Sequence, residues 1–164
     1  MVGAQPVPAA ELPPAGACPG SEAANLAPGA EVAAMHCLVE WVRARHGLSG
    51  LREVSLLDRS SSMRAAAIRR CRQFSHTPCG QAFVQPFVRA GYLRRRGAVG
   101  ENLAWGSGSL GSPRATLAAW LASPEHRANL LGRGWRDCGI ALARGRLFGN
   151  VGASLWILQF GRRG

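Results

Sequence analysis

Apolar side chains recur at Val32, Met35, Val39 and Val42, at intervals of 3, 4 and 3 residues, which is the period of one helix face. The spacing predicts a first helix over about 29–46. Arg43, Arg45 and His46 fall in its last turn, where positive charge suits the helix dipole, and Gly47 can close it. A second stripe at Met63, Ala67, Cys71 and Phe74 predicts another helix, entered through 51–57 and capped by Asp58 or Ser55. It ends before Ser75-His76-Thr77-Pro78, because a proline disfavours the helical conformation of the residue before it. Arg64, Arg69, Arg70 and Arg72 read as the solvated face of that helix, and His36 as a surface or packing residue of the first.

Gln81 to Ala90 is a short amphipathic piece interrupted by Pro86 and stopped at Gly91-Tyr92. Ala98 to Trp105 reads as extended and carries Glu101, and 106–111 reads as a flexible loop. Ser112-Pro113 starts a helix, with Ser as N-cap and Pro at the first helical position, which runs to about Ala122. Ser123-Pro124 restarts a helix through Leu131. Two strands follow, 136–143 and 147–161, with a turn near Gly145. Helices come first and strands late, which predicts an α+β architecture with helices packed on an antiparallel sheet.

Composition adds boundaries. With 164 residues, 47% of them hydrophobic, the chain has the size and the apolar content of one domain. Residues 1–28 are rich in Pro, Ala and Gly and read as a poorly ordered arm that Cys18 could pin to the domain; the domain itself is expected over 29–164. No run of about 18 apolar residues is present, so no membrane span is expected. The net charge is +11 and all 20 basic residues are Arg. An all-Arg set is what a GC-rich coding bias produces. Arg94-Arg95-Arg96 reads as a solvated cluster, and no aromatic-interleaved nucleic-acid motif accompanies it. Nucleic acid is therefore not an expected partner.

The five cysteines, Cys18, Cys37, Cys71, Cys79 and Cys138, match no CxxC metal pattern. Their number suits an oxidising compartment with up to two bridges and one thiol left over. Residues 1–20 have no basic n-region or apolar h-region, so no signal peptide is present as the chain stands. Either the start is truncated or mis-assigned, or the chain is cytoplasmic with free thiols; the cysteine content favours secretion.

Glycine-rich 106–111 does not fit G-x-S-x-G, and a chain without Lys has no Walker A loop. The chemistry-bearing residues are His76, Glu101 and His126, each at the edge of a regular element. Two imidazoles and a carboxylate suit a divalent metal such as zinc, and the same set can do general acid/base work. Spacing alone does not distinguish this set from three separate polar residues, since no H-E-x-x-H pair shares a helix.

Seven pieces in order do more. They are Val42-Arg43-Ala44-Arg45-His46-Gly47-Leu48, Phe74-Ser75-His76-Thr77, Ala90-Gly91-Tyr92, Gly100-Glu101-Asn102-Leu103-Ala104, the run from Trp120 through Ser123-Pro124-Glu125-His126-Arg127 to Leu131, Asp137-Cys138-Gly139-Ile140, and Trp156 to Gly161. Over about 32–161 the chain resembles the CAP superfamily of cysteine-rich secretory, antigen 5 and pathogenesis-related 1 proteins, and in particular its small bacterial SCP-domain members. The resemblance implies a three-layer α-β-α sandwich with a central antiparallel sheet and a cleft lined by two His and two acids. His76 and His126 would be the histidines, binding zinc in several members, and Glu101 the first acid. The second acid falls near Trp120 in many members. Here Leu121-Ala122-Ser123 holds none, so that position is either empty or taken by Glu125. Adjacent helical side chains diverge by about 100°, and Glu125 also suits a helix's first turn simply as a negative charge. Asn102 is expected to secure backbone through its amide, and Trp120, Trp135, Trp156 and Phe160 to serve as core or rim.

The resemblance further implies a Cys18–Cys37 bridge. Cys71 and Cys79, flanking His76, could form a second, leaving Cys138 free. The function implied is a secreted, monomeric module that binds a small ligand, lipid or protein partner at or near the cell surface, with zinc as the expected cofactor. The alternative is a zinc-dependent, peptidase-like hydrolase using Glu101 and His126 of the same cleft, in which bound water would attack an amide or ester. Against it, no general base follows a metal ligand, and Ser75 is poorly placed as a nucleophile for adjacent His76.

Overall fold

The computed structural model describes residues 11–164. The first ten residues of the predicted arm lie outside the described residues. The rest of the arm lies on the domain. Cys18 is buried and bridged to Cys37, with 5.7 Å between the Cα atoms. The backbone N–H of Arg114 donates to Ser21 O at 2.8 Å, and Arg127 makes a two-pronged contact with Glu11.

Helix α1, Pro28–Arg45, starts on a proline, carries Glu31 in its first turn and ends on Arg43 and Arg45. The predicted apolar stripe faces inward: Met35, Leu38, Val39 and Val42 are buried. Strand β1 is a two-residue piece, Arg52–Glu53, and α2 follows at once, Ser55–Cys71, closing on Arg72 in the left-handed conformation (φ 52°). Neither expected cap acts: Val54 occupies the cap position, with no side-chain hydrogen bond. Asp58 instead reaches across to the sheet and accepts the Ile140 N–H at 3.0 Å. A short helix α3, Gln85–Arg89, precedes strand β2, Gly97–Ser107. The loop expected at 106–111 is more regular than its glycines suggest. Gly106 and Ser107 complete β2, and Gly108–Gly111 forms one 3-10 turn. Helix α4, Pro113–Ala122, is capped by Ser112, whose Oγ accepts the Ala115 N–H at 3.2 Å. Helix α5 spans Pro124–Leu130.

Strands β3, Asp137–Leu147, and β4, Asn150–Arg163, form a long hairpin. Its turn lies at Phe148-Gly149 rather than near Gly145. Gly145 (φ 138°) is absorbed as an irregularity of register between Gly145 and Leu147. The sheet order is β1-β3-β4-β2. β2, β3 and β4 pair antiparallel, and β1 adds a short parallel edge to β3.

Alternation along the strands sorts side chains to two faces. Cys138, Ile140, Trp156, Leu158 and Phe160 pack with Met35, Leu38, Val39, Leu117 and Trp120 of α1 and α4. Leu103, Ala141, Leu155 and Ile157 pack with Ala65 and Ile68 of α2. The result is an α+β sandwich with helices on both sides of the sheet. At Gly139 the α2 backbone lies directly on the sheet, and a Cβ there would overlap the Leu57–Asp58 peptide. No helix among the described residues is long and apolar enough to cross a membrane.

Candidate functional site

Glu101 is the middle of the site because of where β2 puts it. It pairs in register with Gln159 on β4 and points to the α2 face, away from solvent. A buried carboxylate needs partners, and it has three. Arg64 Nε of α2 donates to Oε2 at 3.0 Å, Gln159 Nε2 donates to the same oxygen at 2.7 Å, and His76 Nδ1 bonds to Oε1 at 2.8 Å. Arg64 also donates to Phe83 O and lies over the Phe83 ring. Contrary to the solvated-face reading, Arg64 is therefore a buried ion-pair partner of the site.

His76 rides on the loop between α2 and α3, and local contacts shape that loop. Arg72 turns the chain through the left-handed conformation at one end, and Cys79 (φ 61°) does so at the other. The Cys71–Cys79 disulfide clasps the two ends, with 5.6 Å between Cα atoms. Inside it, Gln73 Oε1 accepts the Cys79 N–H at 2.7 Å and Ser75 Oγ accepts the Thr77 N–H at 3.0 Å. Ser75 is thus a turn-former. His76 is about half exposed, with its ring edge-on to Phe83. With Nδ1–H given to Glu101, its Nε2 is the lone-pair nitrogen.

His126 comes from α5 and is held through its backbone. Asn102 Nδ2 donates to His126 O at 2.9 Å, the backbone role expected of that amide. Asn129 of α5 bonds back to Asn102 Oδ1 at 2.9 Å and to Glu101 O at 3.2 Å, and the Trp135 indole donates to Asn129 O at 2.9 Å. Burial lowers the His126 pKa from its ordinary value. The charge of nearby His76 lowers it further, and Glu125 opposes both. The imidazole is thereby biased toward its neutral form. Among the described residues the ring makes no hydrogen bond.

Glu125 is exposed in the first turn of α5, and among the described residues it makes no hydrogen bond or ion pair. The structure thus gathers His76, Glu101 and His126 and leaves Glu125 outside. Arg64, Gln159 and Asn129 belong to the site but were not singled out as such in the sequence. Only Arg64 left a trace there: with Ser60, Ala67 and Ile68 it follows the 4, 3, 1 spacing of a single helix face. His36 is engaged elsewhere, near Leu51 O and Glu53.

For a metal, the donor set consists of two imidazoles. Glu101 has both oxygens committed, so toward a metal it would serve as the carboxylate behind a histidine ligand, an arrangement that orients the ring. Among the described residues no three His, Cys, Asp or Glu side chains converge on one point. Such a set fits zinc as an open site whose other positions go to water or a bound group. It falls short of the four ligands of a structural site.

No family profile and no curated protein matches the chain in sequence. Solved structures do match it in shape. An extracellular protein containing a SCP domain from Bacillus anthracis superposes with TM-score 0.68 and 20% identity, over 83% of this chain and 41% of that one. An outer surface protein from Borrelia burgdorferi gives TM-score 0.67 and 21% identity, over 79% of this chain and 90% of that one. A cysteine-rich secretory protein from Staphylococcus aureus gives 0.59 and 15%, over 83% and 40%. The chain spans about two-fifths of the Bacillus and Staphylococcus proteins and nearly all of the Borrelia protein. With its helix–sheet–helix layering and its two disulfides, this chain has the fold of the SCP-domain, or CAP, proteins.

Proposed function

We infer that the chain is an extracellular or surface-exposed SCP-fold module whose cleft holds a divalent metal between His76 and His126 and binds a ligand or partner there. Zinc is the ion that the two imidazoles suit. One observation carries the reading. Buried Glu101, fixed by Arg64 and Gln159, takes His76 Nδ1 at 2.8 Å and leaves the other ring nitrogen free, with a second free imidazole at His126 nearby. The extracellular assignment draws on the two disulfides and on the descriptions of the Bacillus, Borrelia and Staphylococcus proteins.

The hydrolytic alternative draws no support from this geometry. A general base needs a free acceptor within reach of the water it activates, and neither Glu101 oxygen is free. A bound metal would supply a Lewis-acidic position. The chain's own residues supply the two nitrogens, the carboxylate that orients one of them, and the buried arginine that pairs with that carboxylate.

Calorimetric zinc titration of the wild type against His76→Ala and His126→Ala tests the reading. Binding at one site per chain, weakened in both variants, is the expected result. Equal affinity in all three proteins would sink it.

A further inference from the structure

Among the described residues, one end of the sandwich leaves large apolar side chains exposed. β2 and β3 leave the sheet together, since Ser107 and Gly145 both register with Ala153 of β4. The 3-10 turn at 108–111 and the β3–β4 turn therefore share this end. Leu110 is 73% exposed and Val151 70%, the most exposed large apolar side chains among the described residues. Phe148, at the hairpin turn, is exposed too and is held in the left-handed conformation (φ 48°), a strained state for a bulky residue. It meets Phe74 edge-on at 6.4 Å and Trp105 edge-on at 5.5 Å, and both are exposed.

Arginines rim this cluster. Arg69, Arg72 and Arg146 line a cleft of about 380 Å³ beside Phe148. The chain's nine acidic residues include none in 59–100, 102–124 or 138–164, the segments that supply the tip and its arginines. On the arm alongside, Glu31 is buried against Arg144 and Glu22 is exposed next to Ser21. The tip is thus apolar, with Arg69, Arg72 and Arg146 beside it and no acid in the segments that form it.

We propose that this end docks on an anionic lipid surface, with Phe148, Trp105, Leu110 and Val151 entering the headgroup region and Arg69, Arg72 and Arg146 meeting lipid phosphates. Two features select this occupant. Aromatic and aliphatic side chains ringed by arginine are the composition of an interfacial anchor. The rings meet edge to face, with interplanar angles of 78° and 61°, so the cluster is a rough wedge rather than the flat platform on which bases stack. The proposal goes beyond the cleft reading and does not depend on a metal at His76 and His126.

Sedimentation of the full chain with vesicles, chelator present throughout, tests it. The expected result is binding to phosphatidylcholine mixed with phosphatidylglycerol, and little to phosphatidylcholine alone. Leu110→Asp combined with Val151→Asp, at positions too exposed to matter for folding, should lower partition by about tenfold or more. Arg69→Gln and Arg72→Gln should each lower it by about fivefold. Brominated lipid should quench tryptophan emission in the wild type and lose most of that effect in Trp105→Phe. Undiminished partition in the Asp pair would overturn the proposal, as would equal binding to neutral vesicles. Salt-sensitive retention on heparin or DNA without vesicle binding would show a simple polyanion attraction and overturn it as well.

Discussion

Arg64 and Glu101 form an ion pair whose side chains are both wholly buried, 3.0 Å apart, and that pair holds His76 in place. Removing one member of a buried pair strands the other charge, at a cost of about 3–5 kcal/mol. Glu101→Ala is therefore expected to lose about that much stability in denaturant unfolding, with Arg64→Ala close behind. Glu101→Gln keeps the shape of the side chain but not its charge and should still be clearly destabilised. A loss under about 1 kcal/mol for Glu101→Ala would mean that water replaces the carboxylate around Arg64.

The Cys71–Cys79 clasp predicts a separation of stability from site geometry. Replacing both cysteines by serine should cost about 2–3 kcal/mol through the freed loop. It should also weaken zinc binding, because the loop that presents His76 is no longer closed. Replacing Cys18 and Cys37 should lower stability while leaving zinc affinity unchanged, since that bridge holds the arm and not the cleft. Equal effects of the two replacements on zinc would break the link between clasp and His76.

Gly139 is where α2 rests on β3, with Ser61 Oγ donating to Gly139 O at 3.1 Å and Asp58 bonded to the next residue. A methyl group has no room there, because the obstacle is backbone. Gly139→Ala should cost about 3 kcal/mol, measured as a lowered Tm. Gly134→Ala, with nothing within 4 Å of its Cβ, serves as the permissive control.

Asp58 predicts a pH dependence. Burial raises its pKa, with the Ile140 N–H pulling the other way. A raised folded-state value means that the folded chain holds the proton more tightly than the unfolded one. That contribution is full below the unfolded carboxyl value, about 3.9, and is lost as pH rises through the folded value. At neutral pH the ionised Asp58 therefore works against the fold. Asp58→Asn, which keeps the acceptor for Ile140, should match or exceed wild-type stability at pH 7, with the gap closing below about pH 4. A gap that widens on acidification would contradict the sign.

Much of the fold can be read along the chain because its helices are locally coded. The stripe from Val32 to Val42, and Ser112-Pro113 at the head of α4, each need only a few neighbouring residues to specify them. His76, Glu101 and His126 stand out because motif residues flank them. What surrounds them does not stand out. Arg64 sits 37 residues from Glu101, and Gln159 sits 58. A guanidinium that looks solvated on a helix wheel is buried only once β2 brings a carboxylate under it. The hairpin turn misleads for a related reason. Gly145 has a positive φ, but β3 continues past it and takes it up as a bulge, and the actual reversal falls at Phe148-Gly149, with Phe148 in a conformation that no turn rule favours for it.

Cys138 bears on how this chain reaches its oxidised state. Its thiol lies in the middle of the core, where burial pushes its pKa up to about 12. Attack on a disulfide needs the thiolate, so once β3 has docked, the odd sulfur is withdrawn from exchange. The wrong pairings open to the other four cysteines then fall several-fold. Tertiary packing thereby narrows covalent connectivity: in a chain that condenses before it oxidises, the odd sulfur is already out of reach, and only the pairings among the other four cysteines remain.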